Sequence, residues 1–222
     1  QGDPSLEPPI PDFPEGSAIG MPDQIFEMEE SYIIEGNYED YYRCFVINTD
    51  WIEDKDIAAL EFIPGNLEAV HHAIIVAVPH GSVDDLDNAD AGYGYECFGG
   101  FGTNNISDML GGYAPGTIIS EFPTGLAQYI PANSDLIVQI HYAPLNIEQS
   151  DLSLINVFFK EEPVERYVEE FAIIYPYLYL LPNEITEVEQ SIDVPFDISL
   201  IQIFPHSHLL GKSWEVFSIN TE

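Results

Sequence analysis

Ala69-Val70-His71-His72-Ala73-Ile74-Ile75-Val76-Ala77-Val78 is a nearly continuous apolar run, and Pro79 stops it. A short run of this kind, rich in β-branched residues and ended by proline, is the pattern of a sandwich strand buried on both faces. Two adjacent histidines interrupt it. Successive strand residues point to opposite faces, so a regular strand would send His71 and His72 apart and leave one of them in the core. Both can serve one site only if the strand bulges there or a metal is gripped at its margin.

Working outward, the same signals recur. Tyr41 to Ile47 is aromatic and β-branched around Cys44, and Ala58 to Ile63 ends at the turn Pro64-Gly65-Asn66. Asp135 to Tyr142 alternates: Leu136, Val138, Ile140 and Tyr142 share one face, and Ile137, Gln139 and His141 share the other. Leu154 to Phe159, Phe171 to Leu181 and Ile192 to Phe204 read as further strands. Residues 79–117 are loop-like, rich in Gly, Asp and Asn, and hold Cys97; Asp84 to Asp90 within them hints at calcium but lacks the glycine of an EF-hand loop. Lys160 to Glu170 is an acidic crossing. No helical period persists. The expected fold is all-β, with two antiparallel sheets packed face to face. Residues 1–22 carry six prolines and form an extended arm or linker. Residues 23–162 form a first β-sandwich domain, and residues 163–222 begin a second.

The 222 residues include 39 acids against 5 bases, a net charge of −34, and 45% are hydrophobic. Such a charge repels nucleic acid and anionic membrane surfaces, since phosphate binding needs clustered lysine and arginine. The scattered acids read as a hydrated surface, as in a salt-exposed or extracellular protein, before they read as cation ligands. No apolar stretch can span a bilayer. The chain opens at Gln1 without an initiator methionine, as a mature N-terminus does after a leader is removed. Two cysteines, Cys44 and Cys97, allow one disulfide, two buried thiols or a pair of thiolate ligands; no CxxC spacing favours the last.

The chemistry lies in the histidines. His206-Ser207-His208 closes an apolar run, and residues two apart on a strand face the same way, so this pair could grip a borderline metal such as copper or zinc. His71, His72 and His141 also sit in strand-like runs. His80 follows Pro79 at a strand end, as a surface histidine.

Five motifs fall in order: Tyr42-Arg43-Cys44-Phe45, Val70-His71-His72-Ala73, Gly112-Tyr113-Ala114-Pro115-Gly116, Gln139-Ile140-His141-Tyr142, and His206-Ser207-His208 with Leu210-Gly211-Lys212. Together they resemble the copper type II, ascorbate-dependent monooxygenases, the family of peptidylglycine α-hydroxylating and dopamine β-monooxygenases, with secreted bacterial members the most similar. The resemblance implies two jelly-roll-like β-sandwich domains and two copper ions. His71, His72 and His141 would hold the electron-transfer copper. His206 and His208, with a methionine, would hold the catalytic copper that meets O2. Gln139 and Tyr42 would stand beside the first site, and Cys44 would pair with Cys97.

Two departures follow. The family's methionine lies well downstream of the HxH, whereas Met21, Met28 and Met109 all lie upstream. The expectation is therefore a fragment of a longer chain, or an assembly partner that completes the second domain. Peptide-amidating members also carry an arginine two residues before the HxH; Phe204 stands there, which argues against peptidylglycine as substrate. The function expected is that of a secreted or periplasmic copper monooxygenase acting on a small-molecule or peptide C–H bond with O2 and a reductant such as ascorbate. The alternative is a non-catalytic copper-binding or structural protein that keeps the fold.

Overall fold

A computed structural model describes residues 17–117, 119, 121–175, 177–205, 207 and 210–219. The chain divides into two units, Gln1–Phe171 and Ala172–Glu222. The first is a β-sandwich, as the alternating and continuous apolar runs require. One five-stranded sheet takes the order β6 (Tyr95–Glu96), β3 (Tyr41–Asn48), β9 (Ser134–Tyr142), β5 (Val70–Pro79), β7 (Asp108–Tyr113). The other takes the order β1 (Gln24–Glu27), β11 (Leu154–Phe159), β4 (Lys55–Ile63), β8 (Leu126–Ile130), β12 (Arg166–Tyr167). A small ladder joins β2 (Tyr32–Ile34) to β10 (Gln149–Asp151), and α1 (Asp84–Ala89) is a single short helix where calcium chemistry was hinted at.

The core fills the space between the five-stranded sheets. Phe45, Ala73, Ile75, Leu136, Val138, Ile140 and Tyr142 from one sheet meet Ile57, Phe62, Ile130, Ile155 and Val157 from the other. Burying large aliphatic side chains contributes about 1.5–3 kcal/mol each. Strand β9 is the central strand of its sheet and is buried along its whole length. Its second face lies under the connection that follows β5: Ile137, Val76, Val78 and Cys44 pack with Val83, Tyr95 and Cys97.

Cys44 and Cys97 form a disulfide with Cα atoms 5.8 Å apart. That connection was expected as a loop over residues 79–117, yet β7 lies within it and pairs with β5. Glycine makes the pairing possible: a Cβ on Gly112 would stand 2.1 Å from the Ala73 carbonyl oxygen. Of the proline-rich arm, the described end docks on the second sheet. The Ala18 N–H donates to Glu61 Oε1 at 2.7 Å, and Ile19 packs against Ala58, Ala59 and Phe158.

The first unit runs past the 162/163 boundary expected from the sequence, because β12 adds in parallel to β8. The strands expected at Phe171–Leu181 and Ile192–Phe204 are not formed among the described residues, whose large apolar side chains there are exposed. Their alternation is of strand type, but a strand persists only through ladder hydrogen bonds, and no described segment of residues 172–219 pairs with another. No helix among the described residues is long and apolar enough to cross a membrane.

Candidate metal centre

Strand order and register place the site. His141 on β9 lies opposite Tyr42 on β3 and opposite His72 on β5, so these three residues form a row across the middle of one sheet. The β5–β9 register shifts between Val70 and His72, which makes His71 the extra residue of a β-bulge. The parity of the core confirms the bulge. Val70 and Ala73 are three apart, which in a regular strand would send them to opposite faces, yet both lie in the inter-sheet core. Of the two arrangements that would let both histidines serve one site, the bulge is present, and neither histidine lies in the inter-sheet core.

Three imidazoles converge there. His71 Nδ1 lies 3.2 Å from His72 Nδ1, and His141 Nδ1 lies 3.4 Å from His72 Nδ1. The potential ligand atoms of the three residues all fall within 4.8 Å of one another. Ligand nitrogens about 2.0–2.1 Å from one ion stand roughly 3–4 Å apart. Lone pairs of neighbouring Nδ1 atoms repel unless a proton or a cation stands between them. The donor set therefore fits a metal that accepts imidazole, and the spacing fits one ion. His72 is 7% and His141 8% exposed, whereas His71 is open to solvent, so an ion would be held from within and reached from one side.

The surroundings fix the rings. Tyr42 stacks on His141 with centroids 4.2 Å apart and planes 7° from parallel, and it meets His72 edge-on. Burial first, and then the Asp40 charge, raise the Tyr42 phenol above its ordinary value, so it keeps its proton. Phe98 stands edge-on to the same tyrosine at 5.0 Å. Gln139, expected beside the histidines, directs its amide elsewhere: it donates to the Cys97 carbonyl at 2.9 Å and to the Gly100 carbonyl at 2.6 Å. It thus acts with the disulfide to hold the turn that carries Phe98 against Tyr42.

Asp40 escaped the sequence reading. Its Oδ1 lies 2.7 Å from His141 Nε2, which donates to it. One acid among 39 carries no signal; its position two residues before Tyr42 acquires meaning only once Tyr42 is known to pair with His141. His206 and His208 lie outside the described residues. His80 is a surface histidine as expected, with 58% of its side chain exposed, but it pairs at 2.9 Å with the buried Asp135, which raises its pKa. Met28 is occupied in the core, where its sulfur accepts the Ser153 N–H. No protein-family model matches the chain, and no curated protein matches it.

Proposed function

We propose that this chain carries the electron-transfer metal site of a secreted or periplasmic, copper-dependent monooxygenase. The observation that carries the reading is the bulge at His71, which lets two adjacent histidines join a third from the neighbouring strand with their Nδ1 atoms 3.2–3.4 Å apart. Imidazole suits copper in both of its oxidation states. The Cys44–Cys97 disulfide fits an oxidising compartment. The motif order favours copper over zinc, because it resembles that of a family that uses copper.

When bound, copper supplies one-electron chemistry, passing reducing equivalents from a donor such as ascorbate. The overall reaction consumes one C–H bond, O2, two electrons and two protons, and yields one C–OH bond and water. His71, His72 and His141 would hold the ion through their imidazole nitrogens. Tyr42, wedged between Phe98 and His141, restricts rotation of the imidazole. His206 and His208, with a third and softer ligand, would make the catalytic site, where a small-molecule or peptide substrate meets O2. The competing reading, a copper-binding protein without catalysis, keeps the same three ligands.

Copper-loaded protein, dialysed and analysed by atomic emission, tests the proposal beside His141→Ala and His206→Ala. His141→Ala should lose one ion per chain, and in a chain extended to supply the third ligand of the second site, ascorbate-dependent oxygen uptake should be lost in both variants. Full stoichiometry and unchanged affinity in His141→Ala would refute the metal assignment. Tight copper binding without oxygen uptake in that extended chain would favour the non-catalytic reading.

A further inference from the structure

His141 carries a carboxylate contact on the ring nitrogen that points away from His72. Asp40 Oδ1 accepts from His141 Nε2 at 2.7 Å, from a side chain 49% exposed in the residue just before β3. We propose that Asp40 is a positioning residue for the metal centre, setting both the tautomer of His141 and the charge balance of the bound ion. This inference rests on the copper reading above.

The tautomer follows from hydrogen-bond logic. A neutral imidazole has one N–H and one lone pair, and a carboxylate can only accept. With Asp40 at Nε2, the proton is held on Nε2 and the lone pair lies on Nδ1, the atom that faces His72 Nδ1. Removing the carboxylate removes the acceptor that holds the proton on Nε2. Stacking of Tyr42 fixes the ring plane but is indifferent to which nitrogen bears the proton. The two contacts thus act on different coordinates: Tyr42 on orientation, Asp40 on protonation.

The charge acts on the ion. A carboxylate hydrogen-bonded to a ligating imidazole makes that nitrogen a stronger base and donor, and loss of such a partner typically costs about 10–100-fold in metal affinity. The stronger donor favours the more highly charged oxidation state. A site relying on neutral imidazoles alone would hold Cu(I) and Cu(II) on more equal terms, whereas Asp40 shifts the balance towards Cu(II). A tenfold weakening of Cu(II) binding with Cu(I) binding unchanged corresponds to a rise of about 59 mV in the one-electron potential.

Two variants separate charge from orientation. Asp40→Asn retains an oxygen that can accept from Nε2 but removes the charge; Asp40→Ala removes both. Reduction potential, Cu(II) affinity by chelator competition, and the His141 tautomer in metal-free protein by long-range 15N–1H NMR are the readouts. Wild-type protein should show His141 protonated on Nε2. Asp40→Asn should keep that tautomer and one copper at the site while the potential rises by about 59 mV. Asp40→Ala should mix the tautomers and lose about 10–100-fold in Cu(II) affinity. Unchanged potential and affinity in both variants, with copper still bound through His141, would overturn the role of Asp40 alone. A wild-type protein whose copper binding is indifferent to His141→Ala would overturn the metal reading and this inference with it, and the two failures are told apart by that variant.

Discussion

Replacing both cysteines with alanine, Cys44→Ala/Cys97→Ala, probes the crosslink that ties the covering segment to the sheet. The two residues are 53 apart in sequence. In the chain-entropy treatment, closing a loop of that size removes about 14 cal/mol/K from the unfolded ensemble, or about 4 kcal/mol at 25 °C. Alanine is the substitution of choice because Cys44 is fully buried and Cys97 nearly so, among Val76, Val78, Val83, Tyr95 and Ile137. A hydroxyl placed there would add an unrelated cost of desolvation. Native contacts are otherwise kept: Arg43 still grips Asp90 with two hydrogen bonds, and Tyr95 still donates to the Phe101 carbonyl. Trp51, buried and bonded to Gln24, reports unfolding of this unit by fluorescence. With a urea slope of about 2 kcal/mol/M, the transition midpoint should fall by about 2 M, and reduced wild-type protein should behave alike. A shift below about 0.5 M in both would refute the entropic account. The Gln139 bonds to Cys97 and Gly100 would then be the principal anchor of that segment.

Asp108 is raised to about 6, first by its burial and then by the charge of Glu169, against the pull of the Met109 N–H. The native state therefore binds this proton more tightly than the unfolded chain, so stability from this group increases as pH falls from about 6 towards 4; Asp108→Asn should remove that slope, and a carboxyl 13C titration centred near 4 would contradict it. Gly112→Ala should cost about 1–3 kcal/mol or more, because the new methyl meets the Ala73 carbonyl at 2.1 Å; unchanged amide-exchange protection along β5 and β7 would show that the strands can part without penalty.

The parts of the fold legible in the sequence are those whose burial is independent of a partner's identity. Strands β3, β5 and β9 occupy the middle of one sheet, so apolar residues crowd both of their faces and the runs from Tyr41, Val70 and Ser134 stand out. Edge elements are not marked in this way. Strand β7 contains Asp108, Gly111 and Gly112, the residues of a loop, and it is a strand because β5 offers it a ladder and the missing Cβ of Gly112 lets it approach. The converse error arises at Ile192 to Phe204. Alternation states what a strand would bury, but whether a ladder forms depends on neighbours that a local pattern does not encode. Register is equally non-local, which is why Asp40 could not be separated from the other acids.

The bulge at His71 is the exception, because there the sequence contradicts itself locally. Val70 and Ala73 both belong to an apolar strand face, but an odd spacing separates them, and the two residues between are polarisable, titratable and adjacent. A regular strand would bury an imidazole on whichever side it pointed inward, with desolvation of its polar nitrogens unrelieved. One extra residue resolves both conflicts at once. It restores Val70 and Ala73 to the same core, and it turns His71 and His72 towards His141 on the face away from it. The distortion that the packing demands is thus the one that assembles the ligands, so the sandwich cannot reach this register along β5 without also assembling the candidate site.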